Sequence, residues 1–474
     1  MLEFYLNGTP IRMDDVEPDL TVLELLRERQ HLCGTKEGCA SGDCGACTVV
    51  VGEVDGGSLK YRAINSCIAF AGSLQGRHLV TVEGLADGET LHPVQQALVD
   101  GHGSQCGFCT QGIVMSLFCW QLNGTDRLSA QEALAGNLCR CTGYRPILDA
   151  ATMLARQAPA LPAWSGSPDM MACLAAMPND VIPAETSGYR RPEDLTSLRA
   201  AMKDWPDAHV VAGATDLGLE RTQALKRLPK LIDLSRVAEL AAIEEGDGYL
   251  EVGAAVVYSR LQPYLKTHFP VFAALLSRLG SEQIRQRGTL GGNLGTASPI
   301  GDTLPVLLAL DAQLCLLGPD AERGMPVSDF FLGYRKTALQ AGEIVARIRL
   351  PFLAPQRVCK VYKVSKRWED DISAVLGAFS FSFEAGCFRD VRLAFGGMAA
   401  TPVLAPAVAA ELEGRSQDAI DWSRVEASLA ASFQPMSDVR ASAGYRLKVA
   451  ANLLRRAVVE TVQPDTATRI FDHA

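Results

Sequence analysis

Cys39-Ala-Ser-Gly-Asp-Cys44-Gly-Ala-Cys47 is the stretch on which the fold turns, and a lone Cys67 follows twenty residues later. Three cysteines spaced C-x4-C-x2-C with a distant fourth is the spacing of a plant-type [2Fe–2S] cluster. The glycines give the physical reason. Gly38, Gly42 and Gly45 are expected to take φ > 0, so that the backbone wraps closely round a compact inorganic core and aims its N–H groups at the sulfurs. Zinc prefers paired C-x2-C modules, and this spacing fits it poorly.

Working outward, the next cysteines are Cys106-Gly-Phe-Cys109 and Cys139-Arg-Cys141. Residues two apart on a helix point to nearly opposite sides, so a C-x-C pair must lie on a turn if both sulfurs face one centre. Helices are predicted over 112–122 and 145–157, one after each pair, and helix N-termini favour a net-negative thiolate centre. Spacing alone leaves two readings open here, a second iron–sulfur cluster and a zinc site.

The segments Gly34-Thr-Lys-Glu-Gly-Cys39, Gly42-Asp-Cys-Gly-Ala-Cys47, Gln105-Cys-Gly-Phe-Cys109 and Gly136-Asn-Leu-Cys-Arg-Cys-Thr-Gly-Tyr-Arg-Pro146 resemble the xanthine dehydrogenase family of molybdenum hydroxylases. That resemblance implies two [2Fe–2S] clusters, held by Cys39, Cys44, Cys47 and Cys67 and by Cys106, Cys109, Cys139 and Cys141. It also implies a flavin and a molybdopterin centre, with Gln105 against the molybdopterin.

Two glycine-rich stretches follow, His209-Val-Val-Ala-Gly-Ala-Thr-Asp-Leu-Gly218 and Gly288-Thr-Leu-Gly-Gly-Asn-Leu-Gly295, the second leading to Asp302. The first reads as a buried strand running into a turn, and neither is a G-x-G-x-x-G fingerprint. Taken alone each is a turn or an anion nest. Beside the cysteine motifs they resemble the family's FAD-binding segments. The implied FAD residues are Val211, Ala212, Gly213, Ala214, Thr215, Asp216 and Leu217, then Thr289, Gly292, Asn293, Thr296, Asp302 and Ile344. The family often has glycine where Ala214 stands. The run from Lys360 to Ile372 resembles the loop over the flavin ring, which implies Lys363 reaching the flavin and Asp370 near its reactive face. Tyr334 matches a position on the nicotinamide side. Without the resemblance, the charges from Lys366 to Asp371 read as a solvated face.

The chain has 474 residues, 48% hydrophobic and 21% charged, enough for several cores. A net charge of −9 without a basic block argues against nucleic acid or an anionic membrane as partner. No secretory signal or membrane-length apolar run is read, and the expected location is cytoplasmic. Of fourteen cysteines, eight fall in the two motifs. Cys33, Cys119, Cys173, Cys315, Cys359 and Cys387 are expected to be small buried hydrophobes.

The expected fold is multidomain α+β: a ferredoxin-like β-grasp domain (1–85), a helical [2Fe–2S] bundle (86–158), a linker (159–182), a vanillyl-alcohol-oxidase-like FAD domain (183–354) and a C-terminal α+β domain (355–474). The resemblance implies the small subunit of a bacterial-type xanthine dehydrogenase. Its partner is a separate molybdopterin-binding subunit in an (αβ)2 heterotetramer, and electrons pass to FAD and NAD+ as hypoxanthine and xanthine are oxidised to urate. One rival is the reductase arm of an aldehyde oxidase or carbon monoxide dehydrogenase. Another, from a different class, is a zinc-stabilised scaffold or plain electron carrier.

Overall fold

The structure is a computed structural model that describes residues 1–162, 164–165, 167–177 and 188–468. The expected linker lies partly outside the described residues, as does the expected start of the FAD region at Pro183. By contacts the chain divides into two units. The first comprises residues 1–239 and 280–289, and the second 240–279 and 290–474.

The first unit opens with the hairpin β1 (Leu2–Leu6) and β2 (Thr9–Met13), turned at Asn7 with φ of 55°. β3 (Thr48–Asp55), β4 (Ser58–Asn65) and β5 (His78–Val80) complete a sheet in the order β2-β1-β5-β3-β4, with β1 and β5 parallel. Thr21 starts the helix that packs on this sheet through a reciprocal capping box with Glu24. That helix buries Val22, Leu23, Leu25 and Leu26, and it widens to π-type turns over Leu25–Arg29.

Four helices follow: Pro93–Asp100, Thr110–Leu122, Ala130–Leu134 and Arg145–Leu154. The second occupies the helix predicted over 112–122 and starts two residues earlier, at Thr110. It is buried continuously from Gln111 to Gln121, because it is the central helix of the bundle and has no solvent face. The unit ends in a three-stranded parallel sheet, order β6-β8-β7, of β6 (Tyr189–Arg190), β7 (His209–Val211) and β8 (Leu231–Asp233). Contrary to the buried strand expected at 209–211, β7 is this sheet's edge and only Val211 is buried.

In the second unit, β9 (Ile243–Gly246), β10 (Tyr249–Gly253), β11 (Gln313–Leu317) and β12 (Glu322–Pro326) precede a short hairpin, β13 (Phe331–Gly333) and β14 (Lys336–Thr337). β15 (Ile344–Pro351) then closes an antiparallel sheet in the order β12-β11-β15-β10-β9. β16 (Arg357–Val364), β17 (Val375–Glu384), β18 (Cys387–Gly396) and β19 (Val403–Leu404) form a second antiparallel sheet, in that order. Helix Ala443–Val462 packs on it through Ala450, Leu454, Ala457 and Val458. Among the described residues, no helix is long and apolar enough to cross a membrane.

Only two of the six remaining cysteines match the buried expectation. Cys119 and Cys359 are buried, but Cys33 and Cys173 are exposed and Cys315 and Cys387 are partly exposed. Cys315 faces Arg347 and Glu322 on the polar side of its sheet.

His78 on β5 gives the fold a pH dependence. Its Nε2 donates to the Asn7 carbonyl at 2.6 Å, and Tyr61 Oη lies 3.3 Å from Nδ1. Burial pushes its pKa down to about 4. The folded value lies below the unfolded one, so the neutral ring contributes stability that is complete above about pH 6.5 and is lost as pH falls toward 4. Removing this titration should flatten the acid limb by on the order of 2–3 kcal/mol. Thermal melts of wild type and His78→Gln between pH 7 and pH 4.5 check this: the gap in Tm should shrink as pH falls.

Candidate functional site

The loop between the first helix and β3 carries Cys39, Cys44 and Cys47, and Cys67 sits in the turn after β4. Cys47 Sγ and Cys67 Sγ stand 3.3 Å apart, both buried. The backbone N–H of Ser41 donates to Cys39 Sγ at 3.4 Å. A hydrogen bond from Cys44 holds the Cys39 thiol down at about 4, and one from Cys67 lowers Cys47. The same bonds push the Cys44 and Cys67 thiols up. Hydrogen bonding thus pairs Cys39 with Cys44 and Cys47 with Cys67.

Gly42 and Gly45 adopt φ of 80° and 70°, as expected. Gly38 does not. It is needed for space, since a Cβ there would lie 2.7 Å from Cys44 Sγ.

The second set lies on turns, as the C-x-C argument requires. Cys106 and Cys109 precede helix Thr110–Leu122, and Cys139 and Cys141 precede helix Arg145–Leu154. Cys141 Sγ is 3.6 Å from Cys106 Sγ and 3.9 Å from Cys139 Sγ. Burial, then the bond to Cys139, pushes Cys109 up to about 12. Cys139 is lowered despite its burial, by hydrogen bonds from Thr142 and its neighbouring cysteines. Cys106, Cys141 and Gln105 are exposed, whereas Cys109 and Cys139 are buried. Among the described residues, no three ligand-type side chains converge on one point as around a single ion. In the second set the sulfurs follow one another instead, Cys141 lying near both Cys106 and Cys139.

The two sets are fastened together by backbone. Leu138 N–H donates to the Cys44 carbonyl at 3.0 Å. Asn137 Nδ2 donates to the Gly45 carbonyl at 3.2 Å, and Gln111 Nε2 to the Ala46 carbonyl at 2.9 Å. Gln283 completes the junction. Its Nε2 lies 3.1–3.3 Å from Thr48 Oγ1, Ser116 Oγ and Asn137 Oδ1. Sequence reasoning missed Gln283, Gln111 and Asn137, because a lone amide carries no spacing signal.

The residues implied for FAD fall in both units. In the first, Val211 ends β7 and Ala214 is buried with φ of 62°. A Cβ on Gly213 would lie 1.9 Å from the Arg287 carbonyl, so only glycine fits. Among the described residues, the backbone N–H groups of Gly213, Ala214 and Thr215 donate to no protein acceptor. These amides, one of them on a buried residue, fit an anion. Ala212, Asp216 and Leu217 flank them, and Thr289 is buried.

In the second unit, Gly292, Asn293 and Thr296 lie on helix Leu290–Thr296, not on the expected turn. Gly291 permits this, because its missing Cβ would meet Ala254 at 2.4 Å. Asn293 Oδ1 accepts from Thr303 at 2.6 Å. Buried Asp302 pairs with Lys363 Nζ at 2.8 Å and accepts from Ser373. Lys363 also donates to the Arg278 carbonyl at 2.8 Å. Ile344 is buried at the start of β15, and Tyr334 stands 63% exposed on the β13–β14 hairpin. Asp370 holds φ of 45° in the loop after β16, where Arg278 stacks 4.0 Å over the Trp368 ring. The structure therefore brings Asp302 and Lys363 together, while Tyr334 and Asp370 lie on separate loops.

Four family descriptions match in chain order. Residues 4–72 match a 2Fe-2S iron-sulfur cluster binding domain, and 81–152 a [2Fe-2S] binding domain. Residues 184–353 match the FAD binding domain in molybdopterin dehydrogenase, and 360–461 the CO dehydrogenase flavoprotein C-terminal domain. The chain belongs to the molybdenum hydroxylase family, as its iron–sulfur and FAD part.

Among molybdenum hydroxylases, xanthine dehydrogenase of Emericella nidulans is 34% identical over 87% of this chain and 35% of its own length. The chain thus spans about a third of the length of the curated relatives it matches. Carbon monoxide dehydrogenase from Oligotropha carboxidovorans has a solved chain that is 26% identical, with a TM-score of 0.54, covering 56% of this chain and 94% of its own. Quinoline 2-oxidoreductase from Pseudomonas putida 86 has one that is 28% identical, with a TM-score of 0.52, covering 58% and 97%.

Gly112 tests the junction between the two cysteine sets. A Cβ there would lie 2.1 Å from the Gly45 carbonyl. Gly112→Ala should cost about 2 kcal/mol or more by overpacking. Measured Tm and iron content should both fall, whereas Gly57→Ala, at a site with φ of 76° but nothing within 4 Å, should lower only Tm.

Proposed function

We propose that this chain is the electron-transfer subunit of a xanthine dehydrogenase, working with a separate molybdopterin-binding subunit in an (αβ)2 heterotetramer in the cytoplasm. The observation that carries the relay is the Leu138–Cys44 hydrogen bond, which joins the two cysteine sets within one compact unit. The xanthine assignment draws on the relatives, which are xanthine dehydrogenases. We take the domain limits to be 1–85, 86–158, 183–354 and 355–474, with a linker at 159–182.

In this reading Cys39, Cys44, Cys47 and Cys67 would hold one [2Fe–2S] cluster, which would supply one-electron transfer there. Cys106, Cys109, Cys139 and Cys141 ligate the second. Exposed Cys106, Cys141 and Gln105 face the molybdopterin subunit, so electrons enter there. When bound, the clusters pass single electrons, and FAD gathers two and exchanges a hydride with NAD+. The amides of Gly213, Ala214 and Thr215 take the FAD phosphates, with Val211, Ala212, Asp216 and Leu217 beside them. Thr289, Gly292, Asn293, Thr296, Asp302 and Ile344 are the further FAD residues of this reading. Lys363, neutralised by Asp302, is fixed beside the flavin, Asp370 sits near its reactive face, and Tyr334 meets NAD+. A second reading, the corresponding arm of a carbon monoxide dehydrogenase-like enzyme, draws on the likeness to the solved chains.

Purified protein should hold about four irons per chain and show two paramagnetic signals on reduction. Cys44→Ser should abolish one signal and Cys109→Ser the other; stoichiometric zinc in place of iron would refute the ligand assignment. With FAD bound, the chain alone should pass electrons from NADH to a dye and ignore xanthine, and adding the molybdenum subunit should restore xanthine-dependent NAD+ reduction. Asp370→Ala should slow the NADH-to-dye reaction without changing iron content.

In the reconstituted complex, Gln105→Ala should slow reduction of the clusters by substrate and leave reduction by NADH intact. Rapid-mixing absorbance from each end checks this; equal slowing from both would move Gln105 away from the partner.

A further inference from the structure

The first unit encloses a group of arginines that the proposed relay does not use. Arg62, Arg77 and Arg236 surround Glu53, at 3.3, 3.5 and 2.9 Å. Arg191, fully buried, lies 3.8 Å from Asp233, which also accepts from Tyr189 Oη at 2.7 Å and from the Ser235 N–H at 2.8 Å. Arg287 is the fifth. With Glu193 near Arg236, five guanidiniums gather around three carboxylates among the described residues, a surplus of positive charge within that set.

The surplus leaves marks on its neighbours. Glu53 is lowered to about 2: burial opposes this, but Arg77, Arg236 and Arg62 prevail. Burial and the neighbouring Arg77 push Arg191 and Arg287 down to about 10. Buried like charges of this kind are costly unless an anion offsets them.

Arg287 connects this group to the 213–215 loop. Its Nε donates to the Gly213 carbonyl at 2.9 Å, and its Nη1 lies 3.4 Å from Ser73 Oγ. In a trans peptide the C=O and the following N–H point in opposite directions. With the Gly213 carbonyl held by Arg287, the Ala214 N–H must point away from the Arg287 guanidinium, and among the described residues it donates to no protein acceptor. The guanidinium also polarises the peptide it bonds, which strengthens that N–H as a donor.

We propose that Arg287 is a positioning residue for the diphosphate of a dinucleotide: through the Gly213 carbonyl it aims the Ala214 N–H at a phosphate, and the arginines behind it bias the loop toward anions. This rests on the reading of residues 211–217 as an FAD segment. Arg287 does not touch the ligand, so its loss should weaken FAD while leaving a phosphate-free flavin unaffected.

The test uses the full chain with both clusters loaded and its flavin removed, titrated with FAD and with riboflavin by fluorescence quenching. Iron content and cluster signals serve as the control for folding. Wild type should prefer FAD. Arg287→Met should weaken FAD by roughly tenfold or more, the effect of one charge-assisted hydrogen bond, and leave riboflavin binding unchanged. Arg287→Lys, which keeps the charge and the fold but loses the planar fork, should fall between the two and supplies the comparison if Arg287→Met does not fold. Unchanged FAD affinity in the variants would overturn the proposal. Equal weakening of both ligands would also overturn it, reducing Arg287 to a structural role. A wild type that binds no FAD would instead overturn the flavin reading on which the proposal stands.

Discussion

Two stretches of ligand-bearing backbone approach each other more closely than any side chain permits. The Gly45 carbonyl occupies the space of a Cβ on Gly112, and the Gly136 carbonyl that of a Cβ on Gly45. The Leu138–Cys44 hydrogen bond forms only at this separation. The β-grasp sheet and the helical bundle are thereby locked into one unit, and the positions of both cysteine sets follow from that lock. The continuous burial of helix Thr110–Leu122 follows too, since it lies at the centre of the bundle and also reaches β3.

The gathering of the cysteines into two sets on turns was legible in the sequence because each motif is local: a short loop presents several sulfurs at once, and its spacing records that demand. The hairpin at Asn7 and the capping box at Thr21 are likewise built from neighbours in the chain. What escaped was long-range. Gln283 is an unremarkable residue until folding sets it against Thr48, 235 positions earlier. Gly291 and its neighbours read as a turn, yet the chain uses their missing side chains to bring a helix against Ala254. The loose cysteines misled because a small residue is buried only where its element is, and Cys33 and Cys173 sit on outer surfaces.

The two units treat buried charge differently. In the second, Lys363 and Asp302 form a closed pair, with Ser373 and the Arg278 carbonyl satisfying the remaining valences. The desolvation penalty of each ion is offset locally. In the first, among the described residues, Arg62, Arg77 and Arg236 share Glu53, and Arg191 lies beside Asp233, so several guanidiniums depend on few acids.

Residues 280–289 belong to the first unit although the chain has already entered the second at Leu240 and returns to it at Leu290. This excursion constrains the order of events on the ribosome. The amide of Gln283, which bonds to Thr48, Ser116 and Asn137, is not yet synthesised when the first 239 residues have emerged. Domains ordinarily close as soon as they are complete. Here the older part of the chain must wait, unfinished, until the younger part has begun. The missing wedge then arrives on the same polypeptide, at an effective concentration set by the intervening forty residues rather than by diffusion.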